Sequence, residues 1–160
     1  PREKGRLMRW PAALAAAAVA LAGCGANAPA GVEEAALDAA IGRAIGDPNT
    51  CVLIGEPSGK VVYRFGTHAV CGRELPACDR PALATAEQLM ETAASTKAAA
   101  ITRSCASDAA GARTVAWAAG TLRGGQLAYA AIMEGENVPP GLIVADKLKR
   151  AFERAGLKAD

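Results

Sequence analysis

The 160-residue sequence predicts an α+β domain of two layers, in which an antiparallel four-stranded sheet, built from two hairpins, is covered by helices. Three observations predict it. Apolar residues recur at helical spacing in three segments, apolar β-branched runs come in two pairs about short turns, and the order reads α-ββ-α-ββ-α.

The first helix is "VEEAALDAAIGRAIGDP", from Val32. Leu37, Ile41, Ala44 and Ile45 share a face, acids crowd the first turn, where the helix dipole favours them, and Gly46-Asp47-Pro48 stops it. Next, "CVLIGEPSGKVVYRF" reads as a hairpin turning at "EPSGK". "GTHAVCGRELPACDRP" has no periodicity and reads as a loop held by its cysteines.

Asp79, with Pro81 close behind, suggests a second helix entry, and Leu83, Ala86, Leu89, Met90 and Ala93 supply its stripe. The pattern carries this helix through "STKAAAIT" to about residue 103, where "SCASDAAGA" breaks it. The second hairpin is "RTVAWAAGTL", "RGG" and "QLAYAAIMEG". Alternation puts Val115 and Trp117 on one face, and Leu127, Tyr129, Ala131 and Met133 on one face of the partner strand. The last helix follows "NVPPG", with Val144, Leu148, Ala151, Phe152 and Ala155 on one side and Gly156 where a C-terminal cap belongs.

Ahead of this body, "PREKGRLMRW" sets Arg2, Lys4, Arg6 and Arg9 against the single acid Glu3. The uncharged run "PAALAAAAVALAG" has the length of a signal-peptide core and is too short to span a bilayer. It ends in Leu21-Ala22-Gly23-Cys24, which resembles the lipobox of bacterial lipoproteins. That resemblance implies a signal peptide over residues 1–23, with Met8 as an alternative start, and a Cys24 that is lipidated and binds the membrane. Gly25 replaces the aspartate that would retain such a protein in the inner membrane, so the resemblance implies the outer membrane, facing the periplasm. Residues 24–31 are then a short flexible tether and residues 32–160 a single domain.

Without the leader, 18 basic and 16 acidic residues become 14 and 15, a near-neutral body. No basic patch with interleaved aromatics remains, so nucleic acid is not an expected partner. Four cysteines follow Cys24: Cys51, Cys71, Cys78 and Cys105. In an oxidising compartment an even set reads as two disulfides, with three pairings possible. Cys71 and Cys78 enclose only "GRELPA" and are the easiest to join, which leaves Cys51 with Cys105.

"VAWAAGTLRGGQLAYAAIMEG" followed by "ADKLKRAFERAGL" resembles the end of the α/β half of the serine β-lactamase and penicillin-binding family, class D above all. "LPACDRPALATAEQLM" stands where that family has its nucleophile, at a helix start. The catalytic motifs are missing. No Ser-x-x-Lys occurs, Ser95-Thr96-Lys97 has the wrong spacing, Cys78 and Pro81 occupy the matching positions, and no Lys-Thr-Gly precedes the tryptophan strand. The resemblance implies a catalytically degenerate relative that retains ligand binding. The element order is also similar to roadblock and profilin-like binding modules, by topology alone.

Other candidates carry a plainer alternative. His68 near Cys71 or Cys78 has the residue types of a thiol nucleophile and base, but paired cysteines close that chemistry. The same cysteines lack zinc-ligand spacing, and no metal or cofactor is expected. Glu134 and Glu136 read as a solvated turn rather than a carboxylate pair at a cleft. Lys147, Lys149, Arg150 and Arg154 line the last helix's polar face, diluted by Asp146 and Glu153. Phe65, Trp117 and Tyr129 form an aromatic binding surface if the sheet has an open face, and otherwise face the core. The expected function is a binding or accessory role in the envelope, without catalysis, toward a protein or peptidoglycan. The alternative is a small envelope enzyme or an inactive relative of penicillin-recognising hydrolases.

Overall fold

The computed structural model describes residues 27–160; Cys24 and the expected leader lie outside the described residues. Helix α1 (Glu34–Ile45) buries Leu37, Ala40, Ile41 and Ile45 and ends as the Gly46 N–H returns to the Gly42 carbonyl. Strands β1 (Thr50–Gly55) and β2 (Val61–Phe65) form the first hairpin, with Val52 opposite Phe65. The cysteine-rich loop then holds one turn of helix, α2 (His68–Cys71), and the two-residue strands β3 (Leu75–Pro76) and β4 (Leu83–Ala84), which pair.

Helix α3 (Ala86–Thr96) begins later than Asp79 suggests. A capping box sets its start: Thr85 Oγ1 accepts from the Gln88 N–H, and Gln88 Oε1 accepts from the Thr85 N–H. It also stops earlier, because Lys97 turns left-handed at φ +50°. The residues expected to prolong it form a strand instead, β5 (Ile101–Ala106), which pairs with β6 (Thr114–Leu122). Alanines 98–100 favour a helix locally, and β-ladder pairing overrides that preference. β6 and β7 (Leu127–Gly135) form the expected second hairpin, and α4 (Gly141–Arg154) closes the chain.

The sheet therefore has five strands, not four, all antiparallel in the order β2-β1-β7-β6-β5. Nor is the domain two-layered, because helices cover both faces. α1 and α4 pack together over Ile54, Ala118, Tyr129 and Ala131, where Phe152 meets the Tyr129 ring edge-on at 5.0 Å. α3 covers the other face over Leu53, Trp117, Ala130 and Ile132, with Leu89 and Met90 pointing in. Apolar residues on both pleats of "VAWAA" and "LAYAAIM" are the signature of strands buried on two sides.

All four cysteines are bonded, but not as the loop lengths suggest. Cys51 joins Cys71 and Cys78 joins Cys105. α2 packs on β1 and delivers Cys71 to Cys51, whereas extended β3 carries the chain away before Cys78. The Trp117 indole N–H donates to the Pro76 carbonyl at 2.8 Å, which fixes the loop over β6 and brings Cys78 to the neighbouring strand β5. Geometry outweighs short-loop entropy here.

The expected flexible tether is also shortened. Ala28 is 7% exposed and packs in the α1/α4 core, and Arg123 Nη2 donates to the Ala30 carbonyl at 2.8 Å. Small apolar side chains were expected to leave this segment loose, but they fit under α1, so the packed body already includes residue 28.

Candidate functional site: a groove along the edge strand

β2 pairs with β1 on one side only, so its outer edge is unpaired among the described strands. Beside it runs a groove in two lobes that share Asn27, Val61 and Val62. The larger, of about 690 Å³, is walled by the docked segment 27–30, the β1–β2 turn and Arg123. The smaller, of about 490 Å³, carries Glu34, Tyr63, Arg64, Thr67 and His68.

Several side chains are held firmly here. The Tyr63 hydroxyl donates to Asp38 Oδ1 at 2.6 Å. Burial of the ring, reinforced by the Asp38 carboxylate, keeps this phenol neutral far above its ordinary range. Arg64 Nη1 lies 3.0 Å from His68 Nε2. Arg64 Nε is buried without a partner. Lys60 and Glu56 add charges of both signs to the larger lobe. The groove thus combines a strand edge with unpaired backbone groups, the half-buried Val61 and Val62 in its lining, and mixed charges.

The residues singled out in the sequence are dispersed. His68 lines the groove, but the sulfur beside it, Cys71, is bonded to Cys51, and Cys78 is bonded to Cys105, so neither is a free nucleophile. Among the described residues, no three His, Cys, Asp or Glu side chains gather as a metal-ligand set. The aromatic surface does not exist. Trp117 and Tyr129 are 1% and 5% exposed and lie in different cores, because they fall on opposite pleats of the β6–β7 ladder. Phe65 is half-buried against the α1 side. Glu136 is exposed as expected for a turn, but Glu134 is not: it is the last residue but one of β7, buried between Arg73 and Arg113.

Sequence reasoning missed Arg64, Tyr63 and Glu34 as members of one site. Arg64 inside the apolar run "VVYRF" was the available signal, but strand order decides which edge is open, and long-range pairing sets that order. No family model matches this chain, and no curated protein or solved structure is significantly similar to it.

Proposed function

We propose that this chain is a lipid-anchored, periplasm-facing binding module of the bacterial envelope, whose groove takes an extended peptide segment of an envelope protein or of peptidoglycan. The open strand edge of β2 beside a walled groove carries this reading. An extended ligand there gains main-chain hydrogen bonds from the edge, while alternate side chains reach the groove floor. Arg64 and His68 suit a ligand carboxylate at one end. The anchor rests on Leu21-Ala22-Gly23-Cys24, and two disulfides in a small domain support an oxidising compartment.

Two measurements test the proposal. The intact mass of the protein taken from its native membranes is expected to start at Cys24, carry acyl chains and lack four hydrogens for the two disulfides. An unlipidated chain overturns the anchor. Peptidoglycan stem peptides and arrayed envelope-protein peptides are then titrated against the full chain. Arg64→Ala is expected to weaken the best binder about tenfold or more, the loss of one charge-assisted hydrogen bond. If no peptide of either kind binds, or if the variant binds equally, the groove is not the site. Covalent labelling by a fluorescent penicillin that survives denaturation would favour an active hydrolase instead.

A further inference from the structure

A second hollow lies on the other side of α1. Arg43 and Ala44 of α1 and Lys147, Arg150 and Arg154 of α4 line a cleft of about 170 Å³. All four cations are exposed, and none is ion-paired with a carboxylate of the described residues. Asp146 and Glu153, neighbours in sequence, take no part in its wall.

Local helix chemistry explains only part of this cluster. Arg43 and Arg154 stand in last turns, where the helix dipole favours a cation. Lys147 and Arg150 stand mid-helix at a spacing where like charges repel, and so do Arg150 and Arg154. Asp146 and Glu153 stand one helical turn from Arg150, yet neither is ion-paired with it or lines the cleft, so four unpaired cations converging from two helices form a site complementary to a multiply charged anion.

The position of the cleft points to the anion's source. α4 runs toward the chain's carboxyl end, where Ala159 bridges to Leu122 and the Arg123 N–H donates to the Lys158 carbonyl at 2.9 Å. Arg123 also binds Ala30, so the Arg154 end of α4 and the docked segment 27–30 share one end of the domain, while Arg43 stands toward the other end, where the Ile45 carbonyl meets Thr50 at the start of β1. From Asn27 to Cys24 is three residues, a reach of at most about 11 Å.

We propose that the Arg43–Lys147–Arg150–Arg154 cleft binds the phosphates of anionic membrane lipids and lays the α1/α4 flank of the domain against the bilayer. The choice of a membrane over a soluble phosphate rests on the anchor at Cys24; the cleft's affinity for phosphate does not.

The test uses the full chain and vesicles of phosphatidylcholine, with and without phosphatidylglycerol, read by flotation. The ratio of the two partition coefficients isolates the anionic preference, because acyl or other apolar insertion contributes to both. Lys147→Gln with Arg150→Gln is compared with Arg80→Gln with Lys97→Gln, which removes the same charge elsewhere. The cleft pair is expected to lose roughly 30-fold of the preference, about fivefold per cation, and the control pair to keep most of it. Equal losses overturn the site, because net charge alone then accounts for the preference. If the native chain shows no preference, while inorganic pyrophosphate raises its melting temperature and not that of the cleft pair, the ligand is a soluble phosphate and the membrane reading falls. Failure of the anchor is seen separately, in the intact mass.

Discussion

Glu134, next to last in β7, has 3% of its side chain exposed, yet it keeps its charge. Oε1 accepts from Arg113 Nε at 2.8 Å and Ser107 Oγ at 2.7 Å, and Oε2 accepts from Arg113 Nη2 at 2.8 Å and Arg73 Nη1 at 3.2 Å. The Arg113 bond outweighs the opposing effect of burial, and the carboxyl is held at about 2 against an ordinary 4.5. A carboxyl depressed on folding contributes stability that is fully present above its ordinary value and lost as pH falls through the folded one. The window is therefore from about 4.5 down to about 2, and the contribution is about 3 kcal/mol. Glu134→Gln is expected to lower stability at about pH 6 by about 2–3 kcal/mol and to flatten its decline on acidification to about pH 3. Urea unfolding at the two pH values checks both. "MEGEN" alone could not reveal this, because the partners Arg113 and Arg73 lie 21 and 61 residues away.

At the scale of the element, β5 is the piece least legible in the sequence. It is an edge strand, largely uncovered, and three ties besides its ladder hold it. Cys105 is bonded to Cys78, Arg103 Nη2 meets Asp79 Oδ2 at 2.8 Å, and Ser104 Oγ accepts from the Gly141 N–H at 2.8 Å. The connection from α3 crosses so close to β6 that a Cβ on Gly120 would collide with the Ala99 carbonyl oxygen. None of these contacts is local, whereas the alanine run that disguised the strand is. Cys78→Ser with Cys105→Ser is expected to cost about 3 kcal/mol, since the bond closes a separation of 27 residues. Amide exchange should show Thr102–Ala106 losing protection well before β1 and β7. The hairpins and α4 were legible for the opposite reason: their turns and apolar stripes lie within one stretch of sequence.

At the scale of the whole molecule, β1, β6 and β7 contribute to both cores. Cys51 and Leu53 face α3 while Val52 and Ile54 face α1 and α4, so neither helix layer is lost without exposing the back of the other's floor. Unfolding is expected to be a single transition. Past the expected leader Trp117 is the sole tryptophan and reports the α3 side, whereas far-ultraviolet circular dichroism reports every helix, α1 and α4 supplying the larger share. Denaturation curves from the two probes should coincide, and separated midpoints would mean that the layers melt independently. That a third layer exists at all was written in the unbroken apolar character of β6 and β7, which a two-layer reading leaves unexplained.

Both ends of the described chain are fastened to the same turn: Arg123 holds Ala30, and the Asp160 carboxylate accepts from the Gly124 and Gly125 N–H groups. A pull at the amino end therefore loads one guanidinium contact and the seat of Ala28 before it strains any rung of the sheet. The entry segment is expected to yield first, giving up the Ala28 corner of the α1/α4 core while both disulfides stay closed. Because residues 27–30 also wall the larger lobe of the groove, tension on the amino end would open that lobe before it reached the sheet.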